Sequence, residues 1–142
     1  MRIMLALLTT LVVVTASTAQ QPSALPEGFK VTPVLKATET ASKMKLAYPV
    51  TAKPEVVSVI GELAPGGRTA RHMHPVPVFV YVLEGAVVVQ ADGGEPREYS
   101  AGQAFVEDLN HWHQAFNRTG APAKILVVFM AEEGKPTTIT AQ

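Results

Sequence analysis

The sequence has no cysteine among its 142 residues and has one tryptophan. Without thiols the chain forms no disulfide bond, so packing and hydrogen bonds alone must stabilise the fold. Any bound metal ion would also lack thiolate ligands, which leaves nitrogen and oxygen donors. These absences direct attention to imidazole and carboxylate side chains as the candidate metal-binding groups.

The chain also has no excess of charge of either sign. Lys and Arg together number 12, and Asp and Glu together number 12. Loss of an N-terminal segment containing Arg2 would leave 11 basic against 12 acidic side chains. Nucleic acids and acidic membranes select basic proteins, so this balance argues against both as partners.

Long apolar runs are scarce, and the longest lies at the N-terminus. Met1 and Arg2 precede residues 3–14, which are apolar apart from Thr9 and Thr10, and the small-residue run ASTAQ follows. This order predicts an export signal over residues 1–19 that is cut before Gln20. An uncleaved anchor is the competing interpretation, but a membrane span needs about 20 apolar residues. We therefore expect an exported protein, periplasmic or secreted, with no membrane attachment after cleavage.

The remaining residues, 20–142, suffice for one domain with one core. Residues 20–54 are predicted to be a Pro- and Gly-punctuated lead-in with short extended pieces at 31–35 and 46–48. From residue 55, runs rich in Val, Ile, Phe and Tyr alternate with turn residues at intervals of roughly 8–12 residues, which is typical of an all-β sandwich or barrel. We expect the barrel over residues 55–131 and a C-terminal tail over 132–142, with no helix.

The four histidines form two pairs, His72/His74 and His111/His113. In a strand, residues i and i+2 share a face, with Cα atoms about 6.5–7 Å apart, so two imidazoles can converge on one ion. A single pair on a strand is more often two half-exposed side chains than a metal site. Both pairs together, with no histidine elsewhere, favour a metal site.

The residues around these pairs resemble the two motifs of the cupins, which are small double-stranded β-helix barrels. The first motif has the form G-x5-H-x-H-x3,4-E-x6-G, and the second has the form G-x5-P-x-G-x2-H-x3-N. The residues at matching positions are Gly66, His72, His74 and Gly85 in the first motif, and Gly102, His113 and Asn117 in the second. The resemblance covers about residues 55–131 and implies an all-β jelly-roll barrel with His72, His74 and His113 as metal ligands.

Three positions depart from the motifs. Val78 stands where the first motif has its ligand glutamate, and Asp108 and Asn110 stand where the second has Pro and Gly. Asn adopts a left-handed conformation more readily than most residues, so the change at Asn110 is mild. Loss of the glutamate matters more, because three neutral imidazoles leave a divalent ion its full +2 charge. Such a centre favours an anionic or chelating ligand.

Glu107 and His111 lie on the His113 face if strand alternation holds, and both are tentative catalytic residues. His111 could be a fourth ligand, a proton donor or a histidine at the rim. Glu107 could replace the missing carboxylate in space, act as a general base or be an ordinary turn residue. Five apolar residues are expected to wall the adjacent cavity: Val80, Val82, Phe105, Val127 and Phe129.

Two functions from different classes follow. The first is a metal-dependent enzyme, oxygenase-like, that acts on a small anionic or chelating molecule. The second is a non-catalytic metal- or ligand-binding barrel of the cell envelope, and a degenerate barrel without metal is a third. Nitrogen and oxygen ligands admit Fe, Mn, Cu, Ni, Co or Zn. The resemblance to the cupins, among which dimers are common, also leads us to expect a homodimer.

Overall fold

The computed structural model describes residues 27–142, and this part of the chain contains strands and no helix. The export segment predicted for residues 1–19 lies outside the described residues. Residues 27–31 belong to a separate unit and include a turn at Glu27 and Gly28, whereas residues 32–142 form one compact unit. The nine strands are β1 (Pro54–Leu63), β2 (His72–Met73), β3 (Val78–Glu84), β4 (Ala86–Ala91), β5 (Arg97–Ser100), β6 (Ala104–Val106), β7 (His113–Phe116), β8 (Ala123–Glu132) and β9 (Ile139–Thr140).

The strands form two antiparallel sheets that face each other across the core. One sheet has the order β1-β8-β3-β6, and the other has the order β5-β4-β7-β2-β9. Strands adjacent in the chain lie in different sheets, except for the paired strands β4 and β5, so the chain passes repeatedly between the layers. This arrangement confirms the predicted all-β fold.

Alternation along β3 shows why these residues form strands. Val78, Val80 and Val82 are at most 1% exposed, and the intervening Phe79 and Tyr81 point outward and are partly buried. β-branched valines suit the crowded inner face of a pleated strand. Residues from β4, β6 and β8 complete the core between the sheets.

A close approach of two chain segments requires glycine at position 85. Gly85 has a φ of 70°, and a Cβ there would lie 2.6 Å from the carbonyl oxygen of Pro122. The turn between β3 and β4 therefore excludes a side chain on both conformational and steric grounds. Asn110 also has a positive φ, 54°, which agrees with its expected tolerance of the left-handed region.

Asn117 is a buried hydrogen-bonding centre rather than part of the histidine site. Its side chain is 1% exposed, and its Nδ2 donates to the carbonyl oxygens of Leu63, Ala64 and Ala121 at 2.7–3.1 Å. Its Oδ1 accepts hydrogen bonds from the backbone N–H and hydroxyl of Thr119. One side chain thus joins the end of β1, the end of β7 and the approach to β8.

The segments outside residues 55–131 differ from the prediction in detail. The structure has no strand at 31–35 or 46–48, although an isolated bridge joins Glu39 to Lys45. Residues 132–142 are more than a tail, because they contain β9, which pairs with β2. The sequence reasoning missed β9 because a two-residue strand has too few residues to show an alternating pattern.

Within residues 27–142 we find no helix with the length and apolar character needed to cross a membrane.

We predict that Asn117→Ala lowers the free energy of unfolding by about 1–3 kcal/mol, because it leaves the buried carbonyl oxygen of Leu63 and the part-buried ones of Ala64 and Ala121 without this donor. Urea denaturation of the two proteins measures the difference. Asn110→Gly is the matched control, since Asn110 is exposed and glycine adopts its φ without strain. Equal stability of the Asn117→Ala and Asn110→Gly variants would contradict the assigned role.

Candidate metal centre

Three of the four histidines meet inside the barrel. His72 lies on β2 and is the register partner of His113, the first residue of β7. Residues directly opposite in an antiparallel pair project to the same face, and His74 follows two residues later on that face. One ligand atom from each histidine lies within 4.8 Å of the others.

Hydrogen bonds to backbone carbonyls fix the orientation of all three rings. The Nδ1 atoms of these rings lie 2.8–2.9 Å from carbonyl oxygens, so each Nδ1–H donates. The pairs are His72 with Ala70, His74 with Thr137, and His113 with His111. The proton on Nδ1 leaves the Nε2 lone pair free, which is the arrangement that supporting hydrogen bonds impose on metal-ligating histidines.

Glu107 places a carboxylate against two of these Nε2 atoms, those of His74 and His113. It immediately follows β6, and its backbone N–H donates to the carbonyl oxygen of Val78 at 2.9 Å. Its Oε2 lies 3.1 Å from His74 Nε2, and its Oε1 lies 3.4 Å from His113 Nε2. The carboxylate absent at Val78 is thus matched by one from the neighbouring strand.

The charge state of this cluster follows from burial and proximity. Burial alone would raise the pKa of Glu107, but His113 and His74 lower it to about 2, so the carboxylate is ionised. Burial acts to lower the pKa of His113, but Glu107 outweighs it, and the net shift is upward. Burial lowers the pKa of His72, which favours its neutral form.

The donor set fits a cation. His113 Nε2 is buried and has no hydrogen-bond partner among the described residues. The Nε2 lone pairs and an ionised carboxylate converge there, and such groups repel one another unless a proton or a metal ion lies between them. Three imidazoles with one carboxylate suit divalent transition metals.

His111 lies apart from the three-histidine group. Strand β7 begins only at His113, so the alternation used to place His111 does not extend to it. Its side chain is 38% exposed, and its Nδ1 lies 3.6 Å from a carboxylate oxygen of Asp108. The direct contact of His111 with the cluster is through its backbone carbonyl oxygen, which accepts a hydrogen bond from His113 Nδ1–H.

A cavity of about 280 Å³ adjoins the cluster. His72, His74 and Glu107 form part of its wall, and most of the remaining wall is apolar. Four of the five predicted wall residues line it, namely Val80, Phe105, Val127 and Phe129. Val82 is instead buried in the core with 0% exposure.

The C-terminal residues support the site in a way the sequence did not reveal. Thr137 supplies the carbonyl oxygen that accepts the His74 Nδ1–H, and the Thr138 hydroxyl lies 3.2 Å from the same nitrogen. A backbone carbonyl carries no residue-specific signal. No pattern in residues 132–142 could therefore have predicted this contact.

The structure therefore defines a two-sheet antiparallel β-barrel with a histidine and carboxylate cluster beside an internal cavity. The cupin-domain family model matches residues 59–129, half of the chain, and the chain belongs to the cupin family. No curated protein sequence matches it.

Solved structures agree on the fold. An oxalate oxidase in complex with the substrate analogue glycolate is 26% identical, with a TM-score of 0.54, and the match covers 61% of this chain and 46% of the oxidase. A DMSP lyase from Ruegeria pomeroyi is 17% identical, with a TM-score of 0.53 and coverage of 61% and 43%. A double-stranded β-helix protein from Klebsiella pneumoniae is 20% identical, with a TM-score of 0.53 and coverage of 66% and 89%. The chain thus spans less than half the length of the oxidase and the lyase.

We predict that deleting residues 137–142 weakens divalent-metal affinity about 10- to 100-fold, because His74 loses the carbonyl that orients its ring. Competition with a chromophoric chelator measures the affinity, and circular dichroism checks that the barrel remains folded. Deletion of Gln142 alone is the control, since this residue is exposed. Equal affinities for the two truncated proteins would show that the Thr137 contact does not matter.

Proposed function

We propose that this protein binds one divalent transition metal ion through the Nε2 atoms of His72, His74 and His113, with Glu107 as an additional ligand. The observation that carries the proposal is the group of three histidines whose ligand atoms lie within 4.8 Å of one another, two of them against the buried carboxylate of Glu107. We propose further that the metal site is that of an oxygenase-like enzyme acting on a small anionic or chelating molecule.

Glu107 changes the charge expected from the sequence. Three neutral histidines would leave a divalent ion at +2, whereas the adjacent carboxylate reduces the sum to +1. The position of Glu107 beside Val78 supports this ligand role, because both residues lie at the same level of the β3–β6 pair. A net charge of +1 still favours an anion over a neutral ligand.

A bound metal ion would supply Lewis acidity and coordination positions for a substrate. The chain's own residues orient the ligands, exclude water through the apolar wall and hold negative charge at Glu107. The ligand chemistry admits Fe, Mn, Cu, Ni, Co or Zn. For His111 we propose a role as proton donor at the rim rather than as a ligand, because its ring pairs with Asp108.

The similar structures support a small-molecule ligand. The oxalate oxidase is described with glycolate as a substrate analogue, and the lyase is described as acting on DMSP. A cavity beside the histidines gives a molecule of that size a place to bind. Because one fold hosts many chemistries, this likeness supports the size class and not the reaction.

The second candidate is a non-catalytic metal-binding barrel. The proximity of Glu107 to two histidines favours it, because four protein ligands can close a tetrahedral site. The two functions differ in the number of open coordination positions. X-ray absorption of the metal-loaded protein distinguishes them, since an enzyme would show additional exchangeable oxygen ligands.

We predict that the purified protein, made without a histidine tag, contains about one equivalent of one transition metal by plasma mass spectrometry. His72→Ala and His113→Ala should each lose most of it, because two histidines bind a divalent ion far more weakly than three. Glu107→Gln should retain less metal than wild type, because the amide carries no charge.

His111→Gln is the matched control, since His111 lies outside the three-histidine group. It should retain the wild-type metal content. The proposal fails if wild-type protein binds no metal after reconstitution, or if His111→Gln loses metal as completely as His113→Ala.

We also propose that the protein is exported and acts in the periplasm or outside the cell after removal of residues 1–19. The support is the sequence order at the N-terminus. The intact mass of the protein recovered from the periplasmic or secreted fraction tests this, because cleavage before Gln20 removes a defined mass.

We further propose a homodimer built on β1. This strand lies at the end of its sheet, and within the described residues it pairs with β8 alone. Its exposed aliphatic side chains include Val56 at 72% and Ile60 at 54% exposure. A long apolar edge strand invites pairing, and a second copy offers the same edge in antiparallel orientation.

We predict that the wild-type protein has twice the chain mass by light scattering and that Ile60→Lys reduces it to one chain, because charge on an edge strand opposes pairing. Leu83→Lys is the control, since Leu83 is also an exposed aliphatic residue, 38% exposed, but lies on β3. A monomeric wild-type protein would refute the dimer.

A further inference from the structure

The wall of the cavity beside the candidate metal centre is mostly apolar, and its polar groups are concentrated at a few residues. Aliphatic and aromatic residues from β1, β3, β4, β6, β7 and β8 form most of it, and the polar groups are concentrated at the histidines, at Glu107 and at Arg68, Thr69, Glu62 and Thr138. Among the lining residues of the described chain, Arg68 carries the single permanent positive charge, and Glu62 carries an opposite one. The interior therefore offers an anion one strong anchor, at the metal centre.

Charge balance limits the anion to a single charge. The geometry places one carboxylate, that of Glu107, beside two of the three imidazoles, so a divalent ion held by this set would carry a sum of +1, which one monoanion would neutralise. A dianion would leave an excess negative charge against an apolar wall, where an unpaired charge is costly. A second carboxylate would find no second cation on the buried part of the wall, because Arg68, the other cation of the lining, is exposed.

The volume limits the size of the ligand. At about 30 Å³ per water molecule, 280 Å³ corresponds to roughly nine waters, so a ligand of about eight to ten non-hydrogen atoms fills it, and oxalate has only six. A compact ligand such as oxalate would leave the apolar wall uncovered. The wall includes Val80, Val127 and Phe129, which gain from contact with hydrocarbon and not with water.

We propose that the molecule bound at this site is a small monoanion with an apolar body, whose carboxylate or similar oxyanion binds at the metal centre while its hydrocarbon part fills the cavity. This inference rests on the proposed metal-binding function and adds the class of ligand. It separates this chain from the oxalate oxidase it resembles, because oxalate has no apolar part.

Two wall residues of different size, Ala115 and Val127, provide a test of how the cavity selects the apolar body. Ala115 on β7 is 6% exposed and is small, so a larger side chain there shortens the cavity. Val127 on β8 is a larger wall residue, and its truncation lengthens the cavity. Opposite changes at these two positions should shift the preferred ligand in opposite directions, which general destabilisation would not do.

The test is isothermal titration calorimetry of metal-loaded protein with acetate, butanoate, hexanoate, octanoate, decanoate and oxalate. Affinity should rise about fourfold per methylene up to six to eight carbons, because each buried methylene adds a similar hydrophobic term. The affinity for hexanoate should therefore exceed the affinity for butanoate by about 15-fold. Decanoate should lose affinity, and oxalate should bind more weakly than hexanoate.

Variants localise the effect. Ala115→Leu should shift the optimum to a shorter acid, and Val127→Ala should shift it to a longer one. Ala86→Leu is the matched control, because Ala86 on β4 does not line this cavity, and it should leave the optimum unchanged. Melting temperatures show whether each variant is folded, and if Ala115→Leu does not fold, the Val127→Ala shift alone decides.

The outcomes separate the two proposals. Three results would overturn the ligand class and leave the metal function intact. They are an affinity that does not depend on chain length, tighter binding of oxalate than of hexanoate, and a chain-length optimum that neither wall variant shifts. A wild-type protein that binds no metal would overturn the proposed function and this inference with it.

Discussion

The pairing of β2 with β7 is the constraint on which the site depends. This short antiparallel pair sets His72 directly opposite His113, and the two-residue period then brings His74 to the same face. A shift of register by one residue would turn one of the two strands' histidines toward the opposite face. β9 pairs with the other edge of β2 and so helps to fix this register. The carbonyl oxygen of the nearby Thr137 orients the His74 ring. The histidine cluster is therefore a consequence of strand pairing as much as of residue identity.

Around this pairing, the structure compensates for a residue that the family pattern would require. Val78 is fully buried and cannot bind an ion, but the next strand brings Glu107 to the same level, with its carboxylate facing two of the histidines. What defines a ligand set in a barrel is the position of its atoms in space. Because adjacent strands are only about 4.8 Å apart, either of two neighbouring strands can supply the carboxylate. The exchange keeps one negative charge at the centre. It also leaves Val78 available to the hydrophobic core.

Metal site and cavity together give the proposed function its physical basis. In the proposed function, the metal-loaded histidine cluster would bind one anionic group, and the apolar cavity wall would select what accompanies that group. The solved relatives share the fold at TM-scores of 0.53–0.54 but at identities of 17–26%, which is too distant to transfer a substrate. Ala115 and Val127 line the cavity, and Glu107 lies beside two of the histidines. In the proposed function, these positions would set the specificity.

The sequence by itself determined the fold class and three members of the histidine cluster. Alternating valines in β3 and regularly spaced turns predict an all-β barrel, and the spacings around His72, His74 and His113 identify the family motifs, because both signals are local along the chain. Alternation could not determine the position of His111, since β7 starts only at His113. The roles of Glu107 and of Thr137 depended on the tertiary structure. The role of Glu107 depends on which strand lies beside Val78. The role of Thr137 depends on where a short C-terminal segment pairs. Both are contacts between residues distant in the chain, and no local pattern records which distant strands the packing of two sheets will place side by side.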